Sequence, residues 1–162
     1  MITLNLDKVG WQPCNPSIGG PAKSTLVHEV DALGGWMSKV ADRTYLHKRL
    51  LNCSKGPAVW SLRAQTDKKE YSGEIKKILD NTDNLTIQEG MVSNLFLGKK
   101  GEIKGIGTYF GGYFECKTVV LTTGTFLGGT IWVGSKKISA GRAGEMPSFG
   151  LTQFLKSQGI AM

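Results

Sequence analysis

Eleven residues constrain this chain more than any others: Cys14-Asn15-Pro16-Ser17-Ile18-Gly19-Gly20-Pro21-Ala22-Lys23-Ser24. They put a thiol, two prolines, two glycines, a lysine and hydroxyls just ahead of an amphipathic pattern that opens near Thr25. The composition predicts a shaped loop. Gly19 and Gly20 let backbone N–H groups approach a ligand with no Cβ in the way, and the helix behind them offers unpaired N–H donors and its positive dipole end. With Lys23 alongside, an anion such as phosphate is the natural guest. Spacing alone leaves a tight turn that merely closes a loop equally open. The stretch is not a P-loop, because Ala22 and Ser17 occupy the two positions where that phosphate nest requires glycine.

A length of 162 residues suits one domain with a sizeable core, and 40% hydrophobic with 20% charged residues marks a globular chain, not a disordered one. Glycine, at 22 residues, is about twice its ordinary frequency and follows no fixed period. The net charge of +7 makes an acidic partner plausible, nucleic acid above all. Its carriers are scattered pairs, Lys48-Arg49, Lys68-Lys69, Lys76-Lys77, Lys99-Lys100 and Lys136-Lys137, each of which reads alone as solvated surface. Three cysteines, Cys14, Cys53 and Cys116, show neither disulfide nor metal-ligand spacing, so no metal site is expected and a reducing compartment fits. No apolar run approaches the ~20 residues that span a bilayer, and no targeting segment opens the chain, so no membrane partner is expected.

In order, Ile2, Leu4 and Leu6 alternate as the end of a short strand. After the Cys14 loop, Leu26, Val27, Val30 and Leu33 form the apolar face of a helix that stops at Gly34-Gly35. His28 lies off that stripe and reads as a surface residue. Gly56-Pro57 breaks the chain, and Arg63, Gln65 and Asp67 are expected to open a second helix that buries Tyr71, Ile75, Ile78 and Leu79. Lys55 and Arg63 are candidates for holding phosphates; an ordinary connector with solvent-facing charge accounts for them equally well. A turn at 81–84 precedes strands at 85–88, 92–97, 103–110 and 113–116, the last three forming an antiparallel meander. The continuous apolar run from Thr118 to Thr122 has the pattern of a buried parallel strand, which would make Thr123 and Gly124 ligand neighbours at its carboxyl end. A strand at 130–133, a loop from Ser139 to Glu145 and a helix from Ser148 to about Ser157, capped by Gly159, complete the pattern.

Several blocks resemble one family, the tRNA uridine 5-carboxymethylaminomethyl modification enzymes MnmG, also called GidA. They are CNPSIGG at Cys14 to Gly20, HEVDALGG at His28 to Gly35, SKGPAV at Ser54 to Val59, RAQTD at Arg63 to Asp67, VVLTTGTFLGG at Val119 to Gly129, and GRAGE at Gly141 to Glu145. PAKS after the double glycine and Trp60 after GPAV are similar to the plastid and cyanobacterial branch. The resemblance implies an α/β fold: part of a glutathione-reductase-like, Rossmann-type FAD-binding domain with an antiparallel meander. On this chain that means a partial Rossmann unit at 1–91, the meander at 92–117, and a return strand, loop and helix at 118–162.

The resemblance also implies a flavoprotein that works with an MnmE-type GTPase. Such a protein uses FAD, NADH and a methylene-folate one-carbon donor to build an aminomethyl-type group at C5 of the wobble uridine of tRNA. Cys14 matches the family's active-site cysteine, whose thiolate acts as nucleophile or assists proton transfer at the uracil. Asn15, Gly19, Gly20 and Lys23 match the loop along the flavin, Val92 the position whose backbone meets the adenine, and Thr123 and Gly124 a second dinucleotide-proximal turn. Ser148 matches a further FAD contact, while Lys55, Arg63 and Arg142 are assigned to the tRNA side, Arg142 with the flavin as its alternative. Full-length members are homodimers, placed in plastid or mitochondrion in a eukaryote and in the cytoplasm in a bacterium.

The family's GxGxxG turn does not precede Met1 here, and the nicotinamide-binding insertion, second catalytic cysteine and helical C-terminal region do not follow. The expectation is therefore an internal piece of such an enzyme, inactive as an isolated polypeptide. A non-enzymatic basic module that binds RNA or a partner is the alternative from another class, and a generic flavin or NAD(P)H oxidoreductase is a third.

Overall fold

The structure is a computed structural model, and it describes residues 1–161. In chain order the elements are β1 (Ile2–Thr3), β2 (Ser17–Gly19), α1 (Lys23–Ala32), α2 (Met37–Thr44), β3 (Tyr45–Leu51), β4 (Ser61–Thr66), α3 (Lys68–Asp80), β5 (Gln88–Glu89), β6 (Val92–Leu97), β7 (Ile103–Thr108), β8 (Tyr113–Glu115), β9 (Thr130–Val133), β10 (Lys136–Ser139) and α4 (Phe149–Ser157). They fall into two compact units. The first holds Met1 and Asn5–Ile87, and the second holds Ile2–Leu4 with the chain from Gln88 onward.

The first unit is built on an antiparallel sheet in the order β2-β4-β3. β4 is its centre because Ala64 and Thr66 are buried and alternate with the half-buried Arg63 and Gln65, the period of a strand with two different faces. This overturns the helix expected to open at Arg63. The helix begins only at Lys68, where the Asp67 carboxylate accepts the backbone N–H groups of Lys69 and Glu70 at 2.8 and 2.9 Å. Tyr71 on α3 and Val40 and Ala41 on α2 form the buried cluster, with Ile18, Ile75 and Ile78 packed against it. Neither α2 nor β3 was foreseen.

α1 forms where expected and ends as expected. Gly34 takes φ +90° and its N–H donates to the Asp31 carbonyl at 2.8 Å, closing the last turn. Its apolar stripe, however, is not buried: Leu26 is 62% and Leu33 90% exposed, and Ser24 is the helix's buried residue. The face that packs is the one carrying Ser24, since the sheet lies behind the helix's amino end.

In the second unit the meander β6-β7-β8 is antiparallel throughout, as expected. α4 closes it, burying Leu151 and Leu155 against Leu95, with Val92, Ile103, Ile106, Val119, Leu127 and Phe154 around them. β9 and β10 make a hairpin, and β1 pairs with β5 in parallel. The parallel strand expected at 118–122 is absent. Val119 reaches the core, but Val120 is 84% exposed and the run carries no strand pairing among the described residues. A continuous apolar run becomes a strand only with neighbours along its edges to complete the ladder and helices over its faces.

Candidate functional site

In the first unit the candidate site grows from the turn between β2 and α1. Gly19 (φ +88°) and Gly20 (φ +98°) occupy backbone space that side chains rarely enter. The Gly20 N–H donates to the Leu62 carbonyl at 2.8 Å, and the Gly20 carbonyl accepts from Lys23 and Ser24 at 3.1 and 3.0 Å. The first turn of α1 is thus pinned to β4. A Cβ on Gly19 would lie 2.3 Å from the Leu62 oxygen, whereas one on Gly20 would meet nothing within 4 Å. Ala22 caps α1 at φ 61°, an αL conformation uncommon for a residue with a Cβ.

Beneath α1 lies a cleft of about 310 Å³ whose lining includes Ile18, Gly19, Ser24, His28, Asp31 and Asp42. The Ser38 hydroxyl donates to the Asp31 carboxylate at its edge. His28, read from the sequence as a surface residue, lines this cleft although the residue as a whole is exposed. Asp31, Ser38 and Asp42 escaped the sequence reading because they face the sheet only once α2 folds back beside α1.

Gly19, Gly20 and Lys23 are contiguous at this turn, and Arg63 stands opposite Gly19 across the β2–β4 ladder, on the sheet face turned away from the cleft. Cys14 and Asn15 lie just ahead of β2 and are exposed, the Asn15 carbonyl accepting the Ser17 hydroxyl at 3.4 Å. Lys55 is exposed at the end of a 3-10 turn, Cys53–Lys55, and makes no side-chain contact among the described residues that would tie it to this group.

In the second unit Val92 and Ser148 meet: the Ser148 hydroxyl donates to the Val92 carbonyl at 2.8 Å. The Ser148 N–H donates to the Phe126 carbonyl at 2.8 Å, which links it to the 3-10 turn Gly124–Phe126 that Thr123 caps. Four of the sequence-derived residues, Val92, Thr123, Gly124 and Ser148, therefore share one hydrogen-bonded neighbourhood. Arg142 stands against the same turn, with its charge committed to an ion pair. Its Nη2 donates to Glu145 Oε2 at 3.0 Å, its Nε stands 3.0 Å from Oε1 without an aligned N–H, and its guanidinium lies 4.9 Å from the Phe126 ring centroid.

Among the described residues no group of three or more His, Cys, Asp or Glu is placed to hold a metal, and no helix is long and apolar enough to cross a membrane.

A sheet-and-helix unit entered through a glycine turn, with a helix-closed meander beside it in the sequence, defines the class: α/β with antiparallel sheets, in keeping with the Rossmann-type architecture expected. The chain belongs to the Glucose inhibited division protein A family, whose model it matches over residues 1–162. It is 62% identical over 160 residues to the tRNA uridine 5-carboxymethylaminomethyl modification enzyme MnmG of Synechocystis sp., covering 99% of this chain and 25% of that protein. The Geobacillus kaustophilus protein of the same name is 49% identical over 162 residues, 100% of this chain and 26% of the relative. The solved structure of Aquifex aeolicus GidA matches with a TM-score of 0.87 at 44% identity, over 97% of this chain and 26% of that one. A GidA-related protein from Thermus thermophilus, 18% identical with a TM-score of 0.62 over 99% of this chain and 57% of its own, shares the fold. The chain spans about a quarter of the length of the curated relatives it matches.

Proposed function

We propose that this chain supplies part of the FAD-binding region of an enzyme that adds an aminomethyl-type group to C5 of the wobble uridine of tRNA, acting with an MnmE-type GTPase. The observation that carries the reading is the 62% identity, over 99% of the chain, to a protein named for that modification. The parts assigned are those expected from the sequence: 1–91, 92–117 and 118–162 as pieces of one incomplete FAD-binding domain.

The residues fit such a group. Gly20 and Gly124, both at positive φ, have no atom within 4 Å of where a Cβ would stand, so bare backbone borders open space in each unit. Bound FAD would supply the redox chemistry, with NADH as its reductant and a methylene-folate as the one-carbon source. Gly19, Gly20 and Lys23 would hold the flavin side, since α1 presents its amino end and a lysine there. Ser148 spends its only hydroxyl proton on Val92, which leaves its lone pairs to accept from a ligand and holds the Val92 backbone in place. Cys14, exposed on its loop, would attack the uracil ring or move a proton at it. Asn15 beside it would orient that loop along the flavin.

The test is a chimera in which this chain replaces the matching quarter of the Synechocystis relative, with nucleoside analysis of the tRNA it acts on. Modified wobble uridine is expected, and Cys14→Ser in the chimera should abolish it while flavin absorbance remains. Unchanged modification with Cys14→Ser would remove that residue from the chemistry. The 162-residue polypeptide alone is expected neither to retain FAD nor to modify tRNA, and a purified chain carrying flavin at near one-to-one stoichiometry would contradict this.

A further inference from the structure

The β2-β4-β3 sheet has two faces. Ile18, Leu62 and Ala64 line the cleft under α1 and α2, so the alternation of side chains puts Ser61, Arg63 and Gln65 of β4 on the opposite face. The β3 register adds to that face Arg49 opposite Arg63, His47 opposite Gln65, and Leu51 opposite Ser61. On its other side Arg63 is flanked by Gly19, which has no side chain to cover it.

Two arginines directly opposite each other stand with Cβ atoms about 4.5–5.5 Å apart, and like charges so placed destabilise a sheet. Neither guanidinium makes an ion pair or a hydrogen bond among the described residues, although Arg142, Arg43 and Lys48 all find carboxylates. Next along the same row, Ser61 is buried with a hydroxyl that has no partner among the described residues. Unpaired like charges beside a glycine gap, with an unmet hydroxyl buried next to them, are the features of a site whose anion comes from outside the chain.

We propose that this face binds a backbone phosphate of single-stranded RNA, clamped between the guanidinium groups of Arg49 and Arg63. The two forks approach one phosphate from adjacent strands, as bidentate guanidinium–phosphate recognition requires. His47 and Gln65 beside them offer further polar contacts to the sugar–phosphate chain. The choice of RNA over a free dinucleotide rests on the tRNA reading above. The phosphate chemistry rests on the sheet alone.

The experiment measures binding of fluorescein-labelled oligouridylate to the 162-residue chain over a range of salt, with Arg49→Gln, Arg63→Gln, the double variant, Arg63→Lys and Lys76→Gln. Lys76 lies on α3 and changes net charge equally without touching the face. Arg49→Gln and Arg63→Gln should each weaken binding by about tenfold and lower the slope of log affinity against log salt by about 0.7 per lost contact. The double variant should lose less than the product of the two, because one phosphate is shared. Arg63→Lys should keep the salt slope and lose part of the affinity. Thermal midpoints of Arg49→Gln and Arg63→Gln should stay level or rise as the repulsion is relieved.

Equal effects from Lys76→Gln, or a fall in the thermal midpoint of both glutamine variants, would overturn the clamp. Loss of inorganic pyrophosphate binding in the glutamine variants with oligouridylate binding intact would overturn the RNA assignment. If the chimera fails to modify uridine while Arg63→Gln still releases oligouridylate, the enzyme reading falls and the clamp stands.

Discussion

Gly19 shows how one residue can hold a site in shape. Its φ of +88° and the 2.3 Å approach of an added Cβ to the Leu62 oxygen leave no room for alanine. Gly19→Ala should therefore cost more than the roughly 1–3 kcal/mol of backbone strain alone, because β2 must also move off β4; thermal unfolding of the two chains measures it. Gly134→Ala, at φ +60° with open space around it, should show only the strain. Tyr71 gives a pH signature instead. Burial pushes its phenol above the ordinary value of 10.0. Below that value both folded and unfolded chains keep the proton. Above it the unfolded chain ionises first and binds fewer protons, so stability falls as pH rises past 10. Alkaline unfolding followed by circular dichroism should show the loss, and Tyr71→Phe should abolish it. The Gly19-Gly20 pair was legible in the sequence as a place of close backbone approach. What it approaches, the Leu62 carbonyl, was not, since 42 residues separate Gly20 from Leu62.

Helices with local signals were readable, and elements defined by distant partners were not. α3 declared itself through the spacing of Tyr71, Ile75 and Ile78, although its start, expected at Arg63, falls at the Asp67 cap. Asp67→Ala should lower stability by about 1 kcal/mol, as loss of an N-cap does. α1 carries a comparable apolar stripe of which Leu26, Val30 and Leu33 stay exposed, so Leu33→Ser should shift stability by less than about 0.5 kcal/mol; denaturant titration of both variants checks the contrast. β3 escaped notice because its six residues from Tyr45 to Leu50 are all exposed and show no buried alternation. It is a strand because β4 supplies its ladder. The run at 118–122 is the converse, with strand composition and no ladder to join.

Across the whole molecule, the +7 charge pointed towards an acidic partner without saying where it would sit. In the sequence Lys48-Arg49 and Arg63 are ordinary scattered cations. Cross-strand register makes Arg49 and Arg63 neighbours, while Lys48 turns to the other face and pairs with Asp42 at 2.6 Å. The same division holds for the candidate site. Val92 and Ser148 were each singled out by family resemblance, yet the hydrogen bond between them spans 56 residues of chain. Composition, glycine placement, caps and the blocks from CNPSIGG to GRAGE determined the α/β class and the family, and they named the candidate site residues. These are local properties that a short window of chain expresses by itself. Tertiary structure alone decided which strand stands beside which, which apolar stripe is buried and which cations face each other, because each of those depends on contacts that exist only after distant segments have paired.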